Sequence, residues 1–552
     1  MSNVVDFLNF LTRRNSRKPI SALLAPWDRT RVSIYGFLRS FDSEQRLPPE
    51  AHNLPDEDAY YERVSSGGSK GVRWAPGAID ALFGHHATEK EEKQAQELAS
   101  ALEEACSKPS AKSISKLYQL MLKDGAISLV DPMLSKLAKS SKLHTGRLFE
   151  LAEWLATGSP DREPVKFGIA LLGLFTEPKQ PEIFLTLGQH DEFTIYAVVA
   201  LVRTLEQPEL DQTLWRLAKQ LDGWGRVRIV TQLSETENPE IQHWLLREGY
   251  RNSIMVQYLA HACAVGGGLL KALQASSVDA PLLLGAAEIL EALTDGGPAE
   301  DMSDYADGAE ATRLYVQHIK QRPTIGIEHV LPLRNIKSYV QDEDRDWSKL
   351  AEMGWTETLR REIASDIEQV LSRPEWQGVI SRALRAEDYS TFRTAASAGE
   401  ALGIDVWENY FQRQLDGKSP YGEWFCLMRT SDPKRVDQVL ALAFEQIDLA
   451  EIATGPGTEL GVGPEFLHHC ALDFILQELG RFPGKGWKFL EAGLQSPVTR
   501  NRHMSLRALS TWGRQHWSES TQTILQAALR AEPDDNVRES IEKVLAGVSL
   551  TS

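Results

Sequence analysis

Three stretches of this chain start alike. Pro181-Glu182-Ile183, Pro208-Glu209-Leu210 and Pro239-Glu240-Ile241 are spaced 27 and 31 residues apart. Proline suits the first helical position, where its missing N–H would have no partner anyway. A glutamate beside it faces the positive end of the helix dipole. Each start leads into a short helix, a polar break and a second apolar helix. The breaks run Gly188 to Asp191, Asp222 to Gly225 and Gly249 to Asn252. The second helices carry Ile195, Val198, Val199 and Val202, then Val227, Val230 and Leu233, then Ile254, Met255, Tyr258 and Leu259. The recurring unit is a helical hairpin. One hairpin cannot bury its apolar face alone, so neighbours must stack into a continuous core.

The C-terminal part repeats with another length. Pro497, Arg502 and Leu509 match Pro533, Arg538 and Leu545 at a spacing of 36. Asp534-Asp-Asn-Val-Arg538 reads as an N-cap region, a buried valine and an arginine. Ser431 to Val436 is a looser copy, and Asp222 to Arg228 is similar. This pattern resembles the second helix of HEAT repeats over about 160–290 and 430–548. The resemblance concerns shape and not function. It implies an all-α fold: a right-handed α-solenoid of irregular HEAT/armadillo-like hairpins, in two arrays joined by an acidic loop. The expected organisation is an irregular, loop-rich region 1–88, an array 89–292, an acidic linker 293–310 and an array 311–552. Glu291 to Glu310 holds seven acids and no Lys or Arg. Period-two alternation is nearly absent, so no sheet of any size is expected.

Apolar residues form 42% of the 552 residues, a value that excludes a mostly disordered chain. Lys and Arg number 60 against 77 Asp and Glu, giving a formal charge of −17. That balance disfavours nonspecific nucleic-acid binding, serves solubility and allows a basic protein partner steered by charge. Cys106, Cys263, Cys426 and Cys470 are scattered without Cys-x-x-Cys spacing, as expected of a reducing, cytoplasmic setting. At the N-terminus the charges Arg13, Arg14, Arg17 and Lys18 follow the apolar run, the reverse of a signal peptide. An amphipathic first helix is expected there. The uncharged stretch Asn252–Leu270 is long enough for a bilayer, but Asn252, Gln257, His261 and three glycines fit a buried helix and turn better.

The search for chemistry returns little. His468-His469-Cys470, His85-His86 and His261-Ala-Cys263 are the metal-capable clusters, and adjacent helical residues point about 100° apart. No metal and no cofactor is expected. The glycine-rich loop Gly455 to Gly463 lacks the spacing and the preceding strand of a phosphate cradle, and reads as a mobile connector. A basic stretch carries Lys485, Lys488, Arg500, Arg502, His503, Arg507, Arg514 and His516 with Trp487, Trp512 and Trp517 interleaved. HEAT-like DNA glycosylases use a basic groove with aromatics, so this stretch resembles a nucleic-acid face. Trp27, Trp74 and Trp224 sit in loop-like contexts as possible exposed anchors.

The expected function is non-catalytic protein binding, in its sharpest form an immunity or regulatory protein that grips and masks an effector or toxin. A DNA glycosylase and a general assembly scaffold are the alternatives. The expected partner-binding residues are Trp224, Arg226, Arg228, Tyr250 and Arg251, near the turns of the regular array. No nucleic-acid or membrane partner is expected.

Overall fold

The computed structural model describes residues 25–41, 45–64, 73–82, 89–123, 125–140, 143–419 and 422–550. The first apolar run and His85-His86 lie outside these residues. Among the described residues the regular structure is helical, with no strand and a single β-bridge, Glu459 to Val498. The chain divides into two compact units, Met1–Ile325 with Pro332–Ser372 and Gly326–Leu331 with Arg373–Ser552.

The first unit opens with three short helices, α1 (Ile34–Arg39), α2 (Glu57–Val64) and α3 (Ala78–Leu82). Longer helices follow: α4 (Glu89–Ser107), α5 (Ala111–Met121) and α6 (Ala126–Leu137). The hairpins are α7 (Thr145–Gly158) with α8 (Arg162–Leu172), α9 (Gln180–Gly188) with α10 (Asp191–Thr204), and α11 (Glu209–Gln220) with α12 (Trp224–Leu233). Next come α13 (Pro239–Trp244), which runs into a π-helical turn at Leu245–Gly249, then α14 (Gln257–Gly266), α15 (Leu269–Leu273), α16 (Ala280–Asp295) and α17 (Gly308–Gln321). Helices α18 (Val330–Gln341), α19 (Trp347–Glu352) and α20 (Glu357–Leu371) follow, and α20 packs on α17.

The repeated starts begin helices in three ways. Pro239 is the first residue of α13, behind an Asn238 side chain that accepts the Glu240 N–H. Pro181 is the second residue of α9, and Pro208 is the N-cap of α11. The second helices form a row in which α6, α8, α10, α12, α14 and α16 each pack on the next. A single apolar core runs along the unit from Ile34 to Val370. Between the first helices the row is interrupted, because α1 packs against both α7 and α9. Thus part of region 1–88 is helical and built into the array.

Residues 293–310 belong to the first unit and do not separate the units. Met302 and Tyr305 are buried, and the Met302 N–H donates to the Leu293 carbonyl at 3.0 Å. Two apolar side chains anchor an otherwise solvated acidic loop. The uncharged stretch from Asn252 contains the ten-residue α14. No described helix is long and apolar enough to cross a membrane.

The second unit holds α21 (Trp376–Ala383), α22 (Tyr389–Ala401), α23 (Trp407–Leu415), α24 (Trp424–Met428), α25 (Pro433–Gln446), α26 (Leu449–Ile452), α27 (Leu467–Leu479), α28 (Trp487–Leu494), α29 (Thr499–Trp512), α30 (Thr521–Ala531) and α31 (Asp535–Ala546). Here α24, α27, α29 and α31 pack in succession. Asp534 caps α31 by accepting the Asn536 and Val537 N–H groups, and Val537 is fully buried. Asp432 caps α25 by accepting the Lys434 N–H, ahead of buried Val436.

Candidate functional site

The five residues expected to bind a partner divide by burial. Arg226 is 4% exposed and donates to the carbonyls of Ala218 (2.7 Å), Leu221 (3.3 Å) and Glu248 (2.7 Å). It ties the end of α11 to the π-helical turn, satisfying carbonyls that helix ends leave open. Tyr250 is fully buried. Arg251 is exposed and holds Glu288 through two hydrogen bonds of 2.9 and 3.0 Å. Trp224 is half-buried against Tyr258, with ring centroids 5.1 Å apart. Arg228 alone is exposed without an ion pair or hydrogen bond among the described residues. The structure therefore brings Arg226 and Tyr250 into the core and leaves Arg228 facing solvent.

Arg228 lines a groove on the row of second helices. Ile127, Val130, Asp131 and Leu134 of α6 form one wall, and Ile195, Tyr196, Val199, Ala200 and Arg203 of α10 form the other. Both sets recur at three-to-four spacing, so each presents one helix face. Ala170 and Gly173, at the end of α8, make the floor. Small residues are needed there: a Cβ on Gly173 would lie 2.9 Å from Ala200 Cβ. The groove volume is about 100 Å³ and its lining is mainly apolar. Val199 and Val202 remain 39% and 41% exposed. Arg203, like Arg228, is exposed and unpaired among the described residues, while Asp131 is exposed on the α6 wall.

A second assembly of charges is buried. Lys166 Nζ lies 2.6 Å from Glu192, 2.9 Å from Asp80 and 3.1 Å from Glu163. Arg162 Nε and its backbone N–H both donate to Asp56, at 3.1 and 2.9 Å, and its guanidinium sits 4.1 Å over the Tyr60 ring. Asp161 accepts from Tyr118 at 2.6 Å and pairs with Arg31 at 3.1 Å. Gly77 N–H donates to Glu192, and Tyr196 to Asp80, both at 3.1 Å. The first turns of α8 and α10 thus hold α2, α3 and the segment of Arg31 through buried ion pairs.

Partners override burial at Lys166 and Glu192, whereas burial prevails at Glu163 and His190. Burial lowers the Lys166 ammonium, but Glu163, Glu192 and Asp80 override it and raise its pKa well above the ordinary range. Burial raises Glu192, yet Lys166 and Arg162 bring it down to about 2. Burial keeps Glu163 above the usual carboxylate range. His190 is lowered to about 4 by burial, and its Nδ1 accepts the Glu192 N–H while Nε2 reaches the His52 carbonyl at 3.2 Å. That is a neutral imidazole used as a helix cap. Apolar periodicity carries no sign of this cluster, since its members come from six separated segments.

The remaining expectations find structural places. Trp27 packs between Tyr118 and Trp154, at 5.1 and 4.7 Å, whereas Trp74 is 45% exposed. His468 Nδ1 accepts the Asp448 N–H, and His469 is buried beside Phe466. Among the described residues no group of three or more His, Cys, Asp and Glu side chains could hold a metal ion. In the basic stretch, Arg502 is 1% exposed and pairs with Glu532, Arg500 pairs with Asp473, and Arg514 caps the end of α31 at Leu545. Trp512 and Trp517 donate to the Leu479 and Leu509 carbonyls. The glycine-rich loop, which reads in sequence as a mobile connector, is pinned to residues 495–499 through Gly455, Glu459 and Thr499. Its Leu460 and Val462 stay 65% and 75% exposed.

The site and fold define the chain as an all-α protein of successively packed helical hairpins. No family model matches it. No curated protein matches it either. Among solved structures it is similar to the crystal structure of an engineered protein, at 15% identity over 83% of this chain and 99% of that one, with a TM-score of 0.22. A likeness that weak carries no argument about fold or function.

Proposed function

We propose that this chain is a non-catalytic, protein-binding right-handed α-solenoid of HEAT-like hairpins in two arrays, which grips and masks a partner effector. The observation that carries this reading is the apolar groove between α6 and α10, rimmed by Arg203 and Arg228, which are exposed and unpaired among the described residues. A groove between two helix faces with apolar walls is a surface that a helical partner can fill. Charges at such a rim steer a partner and fix its register. The buried charges of Lys166 and Arg162 are matched, among the described residues, by side chains of the same unit.

The test is an affinity capture with the full chain and with Val199→Asp. Loss of one stoichiometric protein on Val199→Asp, with helix content unchanged, supports gripping by this groove. Capture that is indifferent to Val199→Asp removes the groove from the reading.

An assembly scaffold is favoured by a separate observation. Phe425 and Phe474 of the second unit are 41% and 38% exposed and contact each other at 5.7 Å. A scaffold needs two separable surfaces, so Phe474→Asp should then release a different protein from Val199→Asp. The nucleic-acid reading has less to draw on, because Arg500, Arg502 and Arg514 are engaged inside the unit.

A further inference from the structure

We propose that the groove of the first unit accepts an amphipathic α-helix of the partner, its apolar stripe between α6 and α10 and its acidic flank on Arg203 and Arg228. This rests on the reading that the groove is the gripping surface. The walls are two helix faces: Ile127, Val130 and Leu134 on α6 and Ile195 and Val199 on α10. Such rows accept a third helix by ridge-into-groove packing. Its side chains would meet the anchors at i, i+3, i+4 and i+7 that helix-in-groove recognition uses. The described residues offer no strand edge, so an extended peptide would find no main-chain partners there. At about 100 Å³ the space is well below the roughly 300 Å³ at which small-molecule pockets begin. It suits the tips of a few side chains from a body that stays outside.

Charge chooses the flank. In this chain of formal charge −17, nearby arginines are already committed. Arg162 holds Asp56, Arg247 holds Asp279, Arg251 holds Glu288 and Arg226 caps carbonyls. Arg203 and Arg228, on successive helices of one row, hold nothing among the described residues yet line the same groove. A carboxylate docking between them gains charge-assisted, bidentate hydrogen bonds. Asp131 on the opposite wall repels a second acidic flank, which fixes which side of the incoming helix carries the acids. The local charge therefore selects an acidic surface on the partner, although the whole-chain charge alone suggests a basic one.

The test uses the full chain and a displayed library of sixteen-residue helices with leucine or phenylalanine fixed at i, i+3, i+7 and i+10 and randomised flanks. Selection on the wild-type chain is followed by counter-selection on Val199→Asp. The expected binders carry Asp or Glu along one flank and lose at least tenfold in affinity on the double variant Arg203→Glu, Arg228→Glu. Replacing their flank acids by lysine should restore binding to that double variant. Both variants are first checked for unchanged circular dichroism and melting, which exposed, unpaired arginines permit. Neutral or basic flanks, indifference to the double reversal, or no groove-dependent binder at all would each overturn the proposal. A cellular partner lost on Val199→Asp but not on the double reversal overturns the acidic flank alone. A partner indifferent to Val199→Asp removes the groove from the proposed function, and this inference with it.

Discussion

Lys166 lies within 3.1 Å of three carboxylates and is almost wholly buried. Removing one member of a buried ion cluster leaves the others uncompensated, typically at a cost of about 3–5 kcal/mol. Lys166→Met should therefore destabilise the first unit by about that amount, read as a lowered urea midpoint at pH 7. Adding Glu163→Gln and Glu192→Gln to it should recover part of the loss, since neutral amides need no counter-ion. Acid acts in the same sense. Glu192 titrates near 2 when folded, below its ordinary value of 4.5, so its contribution is present above pH 4.5 and fades as pH falls towards 2. Glu291 has the opposite sign. Burial and the nearby Asp295 raise it to about 7, so the folded state binds the extra proton and stability falls as pH rises from about 4.5 to 7. Asn335 donates to its Oε1 at 2.8 Å, an acceptor that glutamine retains. Glu291→Gln should gain on the order of 1 kcal/mol at pH 8, after allowance for solvent screening, and nothing at pH 4. Melting curves at the two pH values check it, and an equal shift at both would assign the effect to packing.

Helices and hairpins are where the sequence was most legible. The breaks at Gly188, Asp222 and Gly249 do separate successive helices, because local rules of capping and apolar spacing set them. What was not legible depends on distant partners. The α12 start lacks a capping side chain of its own, and Asp191 of the preceding hairpin accepts the Gly225 N–H at 2.6 Å instead. Helix α2 reads as loop because ion pairs and a tyrosine face hold it, with no apolar stripe to betray it. Arg226 near a turn looks the same in sequence whether it caps carbonyls or meets a partner, and here it caps. Gly285 shows how tightly the elements meet. A Cβ there would fall 1.8 Å from the Leu246 carbonyl oxygen, where α16 crosses the π-helical turn. Gly285→Ala should cost about 1–3 kcal/mol by forcing the helices apart. Gly378, in α21, has nothing within 4 Å of the same position, so Gly378→Ala should stabilise by roughly 0.5–1 kcal/mol. Urea denaturation of the pair checks both signs.

At the scale of the whole molecule, each unit keeps a buried ion pair of its own. Lys166 and its carboxylates belong to the first unit, and Arg502 with Glu532, each 1% exposed, belongs to the second. The two groups share no partner, so substitutions at them should be additive to within about 0.5 kcal/mol. Two units with separate cores also need not unfold in one step. Urea unfolding followed by tryptophan fluorescence and by circular dichroism should show transitions that do not coincide. Lys166→Met should move one of them and Arg502→Met the other, each by a few kcal/mol, because Arg502→Met strands a buried Glu532. The double variant should move both by the single-variant amounts. A single merged transition displaced by either substitution would instead make the units one cooperative body, and a partner gripped by the first would then stabilise the second through linkage.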